Sequence, residues 1–526
     1  MGHALIGIET LTAALAAVGL VTAWAARRSG RRIRWLIAGL FAAVLLGLAV
    51  TAALFVAQFP GAWGSYQAWF AASWTAALAV GVVLVLARGL WRAGGAGEPA
   101  GRTWNLGQLA AVAAGAAALD VMTVSNLDLA QKIVLARERA ESGARVVTLL
   151  PPPVPDRDNA APVYREAFDV LRPSDHAAAQ KLNKWLARPD ALDPRSQDVT
   201  DYLREREAGL ALLRKAAAMP GCRFEMDYLQ PLGQRVWDTR AFLGAARLLS
   251  LDARVRAARG EPVAALIDVA ALYGMARHLD EPALLPVLVA AALDHMAGEA
   301  LEDVVSRTTP TAAELAVARP GDVSHQRALR RAVEMERAAF GLPGMVSVFE
   351  AQGWVPGDDA SLRDRAVNWV AGTAGYRVFF LADDLAVHRE DTAVVLALLA
   401  RPYWEARTDW EAHDQAPVRG GLLAQALRVQ LGRYARDAAQ VDARHRLAQL
   451  VHAAASFRAA NGALPERLDV LVPTFLPAIP ADPFSGSPLR ARRDGKVLIL
   501  SSVGPDGHDN GAAARSDDVV MRVSER

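Results

Sequence analysis

The sequence predicts a mainly α-helical membrane protein, in which about four transmembrane helices precede an extracytoplasmic helical bundle or irregular solenoid and a small α+β tail with a β-hairpin. Hydrophobic residues make up 52% of the 526 residues, a fraction above that of most soluble chains. The longest apolar runs lie before residue 125, and strand and turn signals cluster near the end of the sequence.

The first 125 residues form the predicted transmembrane region. Four apolar runs, at 4–26, 35–59, 68–87 and 104–124, each approach the roughly 20 residues that an α-helix needs to cross the hydrocarbon layer. Tryptophans stand near the ends of these runs, as their amphipathic rings favour at a membrane interface. The direct partner predicted for this region is membrane lipid.

Arginines set the predicted orientation. The loop between the first two runs holds Arg27, Arg28, Arg31, Arg32 and Arg34, and three more arginines border the loop between the third and fourth runs. Basic loops stay in the cytoplasm, so both ends of this region lie outside. The Ala- and Arg-rich, Lys-poor composition is typical of a bacterium, which predicts a multi-pass protein of the bacterial inner (cytoplasmic) membrane with an extracytoplasmic body.

The composition beyond the transmembrane region argues against nucleic-acid binding and against stabilisation by disulfides. Beyond residue 103 acidic residues slightly outnumber basic ones, which gives no electrostatic basis for binding nucleic acid. Cys222 is the only cysteine, so no intrachain disulfide can form. Burial of apolar side chains must therefore stabilise the body.

Residues 126–161 predict a helical stalk followed by a Pro-rich, extended spacer that reaches Asn159. Helical periodicity then dominates 162–436. Gly260 and Pro262 mark a break between two amphipathic helices, a pairing typical of one unit of a helical solenoid. Because no second copy recurs at a fixed period, an irregular bundle is an equal alternative.

Residues 437–526 form the predicted tail. A helix from about Gln440 should end at Asn461-Gly462, where glycine can adopt the left-handed conformation of a helix cap. Apolar segments on either side of Asp494-Gly495 predict a β-hairpin with a two-residue turn. The expected order is helix, loop and hairpin.

The tail resembles the globular tail of the major pseudopilins of type II secretion. The resemblance rests on the long helix and on four short motifs in the same order: Asn461-Gly462-Ala463-Leu464-Pro465, Leu468 to Pro473, Asp482-Pro483-Phe484 and Ser501 to Gly507. It implies a calcium site in the last loop, with Asp506 as a ligand, Asp517 or Asp518 as a later ligand, and Asp509 as a local addition. No other cofactor is expected.

The N-terminal region departs from that family, because it lacks the basic leader and single apolar helix of a pilin subunit. The whole chain resembles bacterial multi-pass membrane proteins that join a few spans, a spacer with an Asn-Ala-Ala-Pro motif at 159–162 and a helical extracytoplasmic body to such a tail. This second resemblance implies no particular activity.

Two groups of ionisable residues have the helical spacing of metal ligands. His295, Glu299 and Glu302 share one face, with Asp303 beside them, and Asp384 and His388 form a second pair. Solvated charged faces explain both groups without a metal. The sequence contains no Gly-x-Ser-x-Gly motif, and Cys222 lacks the local signature of a reactive thiol.

These observations predict a membrane-anchored, extracytoplasmic interaction or scaffold protein without catalytic residues. Two alternatives stay open. One is a periplasmic metal-dependent hydrolase whose ligands come from separate helices. The other is an accessory component of a secretion or pilus-like system, which only the tail suggests.

Overall fold

The computed structural model describes residues 135–172, 176–187, 193–194, 196–225, 228, 239–341, 376, 380–417, 420–421, 424–425, 428, 430–512 and 517–525. The four predicted transmembrane runs lie outside these residues. The described chain is mainly helical and ends in a small antiparallel sheet.

The chain divides into two compact units. The smaller unit takes its described residues from Met1–Ser142, Phe340–Thr392 and Pro417–Val429, and the larger unit from Gly143–Ala339, Ala393–Ala416 and Gln430–Arg526. The helical body and the tail of the sequence analysis both contribute to the larger unit.

Twelve labelled helices and three strands define the described fold. The helices are α1 (Ala161–Leu171), α2 (His176–Ala187), α3 (Gln197–Arg204), α4 (Glu207–Ala217), α5 (Thr239–Ala258), α6 (Pro262–His278), α7 (Leu284–Arg307), α8 (Ala312–Leu315), α9 (His325–Met335), α10 (Leu381–Leu399), α11 (Tyr403–Gln415) and α12 (Leu431–Asn461). The strands are β1 (Arg490–Asp494), β2 (Val497–Ser502) and β3 (Val519–Ser524).

Helices α5, α6 and α7 form the centre of the larger unit. Each of the three contacts both of the others, and Leu251, Leu272 and Leu301 are fully buried among them. Helix α7 also packs against α12, far along the chain, whereas a solenoid repeat contacts only its neighbours in sequence, so the bundle alternative is favoured for this part of the chain. The predicted break between α5 and α6 is confirmed: Gly260 has a φ of 79° and Pro262 opens α6.

The segment before α1 is attached to the larger unit rather than extended throughout. Residues 135–149 are helical and 151–155 are extended, but Asp156–Asp158 form a 3-10 turn, so the spacer is shorter than expected. The Asn159 amide then accepts hydrogen bonds from the backbone N–H groups of Ala161 and Arg223 and donates one to the Arg223 carbonyl. Val146, which precedes the extended residues in the sequence, is also buried.

A buried ionic network joins α4, α5 and α6. Arg214 donates to Asp252 and, over 2.6 Å, to Asp268, whose side chain is fully buried. Burial raises the pKa of Asp268 to about 7, helped by the nearby Asp252 carboxylate and opposed by Arg214. The guanidinium therefore compensates two carboxylates that would otherwise repel each other in a poorly solvated site.

The predicted helix end and hairpin of the tail are confirmed. Helix α12 ends at Asn461, and Gly462 has a φ of 81°. The hairpin turn lies one residue later than expected, because Asp494 pairs with Val497 and Gly495 is the first turn residue, with a φ of 56°. The structure also adds β3 to the sheet, in the order β1-β2-β3.

The sheet rests on α7 and α12. The Met521 methyl group of β3 packs beside Gly298 of α7. Arg458 of α12 is buried, and its guanidinium donates to the carbonyl oxygens of Val305, Thr308 and Ser524. One arginine thus links the C-terminal end of α7 to β3, where a cation also interacts favourably with the helix dipole.

Candidate functional site

The charged face that the sequence analysis singled out is paired within the protein. Arg254 lies 3.4 Å from Glu299 and 3.5 Å from Asp303, and His295 lies 3.5 Å from Glu299. Glu302 accepts a 2.8 Å hydrogen bond from the backbone N–H of Arg522 in β3. Burial raises the pKa of Glu302 to about 7. These contacts bind the face to α5 and the sheet.

A second cluster, buried on the adjacent side of α7, brings together Asp294, His325 and His445. The Asp294 carboxylate lies 2.9 Å from Nδ1 of His445 and 3.2 Å from Nε2 of His325. None of the three residues is more than 3% exposed. Helices α7, α9 and α12 each contribute one member, so the cluster exists only in the assembled bundle.

Hydrogen bonding fixes the protonation of His445. Its Nδ1 faces the Asp294 carboxylate and its Nε2 lies 2.8 Å from the Gly321 carbonyl oxygen, so both ring nitrogens face acceptors. Both must carry a proton to satisfy those acceptors. Burial alone would lower the pKa of His445, but the hydrogen bond and the charge of Asp294, together with the hydrogen bond to the Gly321 carbonyl, outweigh burial and raise it.

Asp294 is correspondingly held as a carboxylate. Burial opposes its ionisation, but the hydrogen bonds from His325 and His445 outweigh burial and lower its pKa to about 2. A buried charge of this kind is tolerated only when it is paired. The Asp294–His445 contact is therefore a buried ion pair, and His325 contacts the same carboxylate.

Asp442 positions His325 by capping α9. Its carboxylate accepts from the backbone N–H of His325 at the start of the helix and from the Ser324 hydroxyl. The Ser324 hydroxyl in turn accepts from the N–H of Arg327 as the N-cap of α9. A carboxylate at a helix N-terminus also interacts favourably with the helix dipole. Helix α12 thus sets the position at which α9 begins.

Tyr273 of α6 packs against the His445 member of the cluster. Its ring meets that of His445 edge to face, with the centroids 6.2 Å apart. The Tyr273 hydroxyl is buried, and it makes no hydrogen bond within the described part of the chain. Burial, with a smaller contribution from the Asp294 charge, raises the pKa of this hydroxyl well above its ordinary value.

A pocket of about 340 Å³ opens beside the cluster, between α7, α9 and α12. His325 and Leu329 line it from α9, and apolar side chains of α7 and α12 form most of its remaining wall. The polar lining residues are His295, His325, Tyr434, Asp437, Gln440 and Arg444. His325 is therefore the member of the buried cluster that a ligand in the pocket would meet.

Three of the four acidic residues predicted to bind calcium hold the last loop together. Asp506 accepts from the backbone N–H of His508 and from the Asn510 amide, while Asp518 accepts from the N–H groups of Asn510 and Ala512. Asp509 pairs with Arg490. Among the described residues, which exclude 513–516, no group of three metal-ligating side chains converges. The calcium site, including Asp517, stays a prediction.

The Asp384 and His388 pair belongs to the smaller unit. Asp384 is fully buried, and its carboxylate accepts from the Tyr376 hydroxyl and the backbone N–H of Gly421. These contacts join the start of α10 to residues on both sides of it in the sequence. They give Asp384 a structural role.

Cys222 is half-buried in the larger unit. Burial, reinforced by the charge of Glu281, raises its pKa to about 12. A thiol with such a pKa remains protonated at neutral pH and is a poor nucleophile. The expectation from sequence agrees with this environment.

Sequence reasoning missed the contacts that join Asp294, His325 and His445. The partners of Asp294 lie 31 and 151 residues away in the sequence, so no local spacing reports their contact. One usable signal existed: Asp294 lies at the centre of an apolar helical stretch, where an acidic residue needs a buried partner.

No family model, curated protein or solved structure matches this chain. Among the described residues, α7 is the one helix long and apolar enough to cross a membrane. Leu293, Ala297 and Leu301 of α7 are fully buried by neighbouring helices, so burial within the bundle accounts for its composition.

Proposed function

We propose that this chain is a membrane-anchored, extracytoplasmic protein that acts by binding other molecules rather than by catalysis. The observation that carries the proposal is the pairing of its buried ionisable groups: Arg214 with two aspartates, Arg254 with the acidic face of α7, and Asp294 with two histidines. Paired charges of this kind fix the geometry of a bundle, whereas catalytic groups must be available to a substrate.

The location rests on the sequence. Four apolar runs and the Arg-rich loops between them support an inner-membrane anchor with both ends outside the cytoplasm. The pseudopilin-like motifs of the tail support a place beside a secretion or pilus-like machine, and this remains the more specific form of the proposal.

Fusions to alkaline phosphatase test the location. The enzyme fused after Pro155 should be active because it is exported, and the same enzyme fused at Gly30 should be inactive. The opposite pattern would place the body in the cytoplasm and overturn this part of the proposal.

Site-specific photocrosslinking in intact cells tests the binding function. A photoreactive residue at Ile267, an apolar side chain that is 40% exposed on α6, should yield discrete protein adducts. The same residue at exposed Lys215 of α4 serves as the matched control and should yield none. Adducts from Ile267 should persist in His325→Gln. Equal adducts from both positions would contradict a specific partner surface.

A hydrolase is the second candidate, and the contact between Asp294 and His325 favours it. A carboxylate that orients a histidine beside a pocket is the arrangement of a general base. None of the residues that line the pocket is Ser, Thr or Cys, so water would have to be the nucleophile. If the purified chain hydrolyses esters or peptides, and His325→Gln abolishes this whereas His452→Gln does not, the hydrolase replaces the binding proposal.

A further inference from the structure

The pocket between α7, α9 and α12 is named the slot below, because its lining on α12 follows one helical face. Its α12 residues recur from Tyr434 to Arg444 along one helical face, a span of about 15 Å at the helical rise per residue. Its volume of about 340 Å³ equals the liquid volume of about eleven water molecules and lies near the lower end for ligand sites. A slot of this length and volume accommodates one extended chain.

The walls of the slot are mainly apolar. Val287, Leu288 and Ala291 line it from α7, Leu329 from α9, and Val441 from α12. Such a surface contributes binding energy by removing hydrocarbon from water. It favours an alkyl chain over a polar ligand of the same length.

Arg444 gives the slot a charge. It is half-buried, and within the described part of the chain it forms neither a salt bridge nor a hydrogen bond. The other ionisable groups at the slot do not neutralise it: the nearby Glu299 lies 3.4 Å from Arg254, and Asp437 lies 3.9 Å from Arg433. Burial and the Arg444 charge both lower the pKa of His295, which keeps that imidazole neutral at pH 7.

A half-buried guanidinium without a protein partner is suited to a carboxylate, which it can bind through two parallel hydrogen bonds. We propose that the slot between α7, α9 and α12 binds a medium-chain carboxylate, with its alkyl chain against the apolar walls and its carboxylate on Arg444. His325 and the Tyr434 side chain contribute polar lining along the slot.

Binding of octanoate to the full-length chain in lipid nanodiscs tests the proposal. Titration calorimetry should show saturable binding, and Arg444→Gln should weaken it by about tenfold or more, since a hydrogen bond to a charged group contributes more than a neutral one. The matched control is Arg436→Gln, an exposed arginine of α12 outside the slot, which should leave the affinity unchanged.

Two further experiments separate binding in the slot from partition into the surrounding lipid. Ala291→Phe fills the slot and should abolish saturable binding. Octyltrimethylammonium has the opposite head-group charge, so its affinity for the wild-type chain should be no higher than the affinity of Arg444→Gln for octanoate. Because Arg444 makes no protein contact that folding needs, its variant stays informative if Ala291→Phe unfolds. Absence of saturable binding, or equal affinities for Arg444→Gln and Arg436→Gln, would overturn the proposal.

Discussion

At the scale of single residues, two glycines show how closely the helices approach each other. A Cβ atom at Gly274 of α6 would overlap the carbonyl oxygen of Ala217 in α4, whereas a Cβ at Gly244 of α5 would meet nothing within 4 Å. Both residues lie inside helices with ordinary helical φ. Only the first glycine is required by packing.

Alanine substitutions at these two positions should change stability in opposite directions. Gly274→Ala should destabilise the larger unit by about 1–3 kcal/mol, the cost of forcing extra volume into a packed interface. Gly244→Ala should stabilise it by about 0.5–1 kcal/mol, because alanine favours a helix interior over glycine. Urea unfolding of the full chain gives both values, and a Gly274→Ala variant that is as stable as the wild-type chain would contradict the close contact between α6 and α4.

The ion pair of His445 makes stability depend on pH in a defined direction. The folded pKa of His445 is raised above its ordinary value of 6.5, so its contribution is complete below about pH 6.5 and is lost as the pH rises through the folded pKa. Asp294, with a pKa lowered from 3.8 to about 2, contributes above pH 4 and loses that contribution as the pH falls towards 2.

The difference in unfolding free energy between the wild-type chain and His445→Gln should therefore be largest between about pH 4 and pH 6.5 and should shrink at higher pH. Taking the difference matters, because burial lowers the pKa of His278 to about 4 and gives the opposite slope near pH 5 in both proteins. A difference that grows from pH 6 to pH 9 would show that His445 is not paired as a cation.

At the scale of elements, the Arg214 network determines how α4 joins α5 and α6. Arg214→Ala would remove the nearest cation from the buried Asp252 and Asp268 and leave Arg256 as their remaining partner, which should cost up to about 3–5 kcal/mol, the range for breaking a buried ion pair. Lys215→Ala, the exposed neighbour on α4, should change the unfolding free energy by less than about 0.5 kcal/mol. Similar losses in the two variants would mean that the network contributes little.

The tail was the most predictable element, because its signals are local. Gly462 and Gly495 each have a positive φ at a position where the sequence required one, at the helix cap and at the hairpin turn. Strand β3 escaped prediction, since Val519–Ser524 follows a long loop and no local turn signal reports its pairing with β2. The Asp294 cluster escaped for the same reason on a larger scale: its contacts join distant helices.

The predicted calcium site in the last loop can be tested by thermal unfolding, and the packing of the tail against α7 determines which protein must be used. Leu500 and Met521 belong to the same core as α7, so an isolated tail would expose that surface. The full chain should therefore be used. Millimolar calcium should raise its unfolding temperature, and Asp506→Ala should remove the increase, whereas Asp494→Ala in the hairpin should not. No calcium effect on the wild-type chain would exclude the site.

At the scale of the whole molecule, the larger unit combines segments that are far apart in sequence. Arg458 touches the end of α7 and the strand β3, and the sheet covers the α7 face that carries Glu302. The C-terminal tail is consequently a structural part of this unit. A partner that recognises the tail would contact a surface whose geometry depends on α7.

The central position of Asp294 in α7 has a consequence for export. Helix α7 is long and apolar enough to be retained by the translocon, and the proposed topology requires it to pass through. An aspartate at the centre of such a segment disfavours membrane insertion by about 3 kcal/mol, and the penalty falls towards the helix ends. Asp294→Leu should therefore trap α7 in the bilayer and inactivate alkaline phosphatase fused after Thr308, whereas Asp303→Leu, in the last turn, should affect it far less. The carboxylate that holds two histidines in the folded bundle would then also be the residue that lets the nascent chain reach the compartment where it folds.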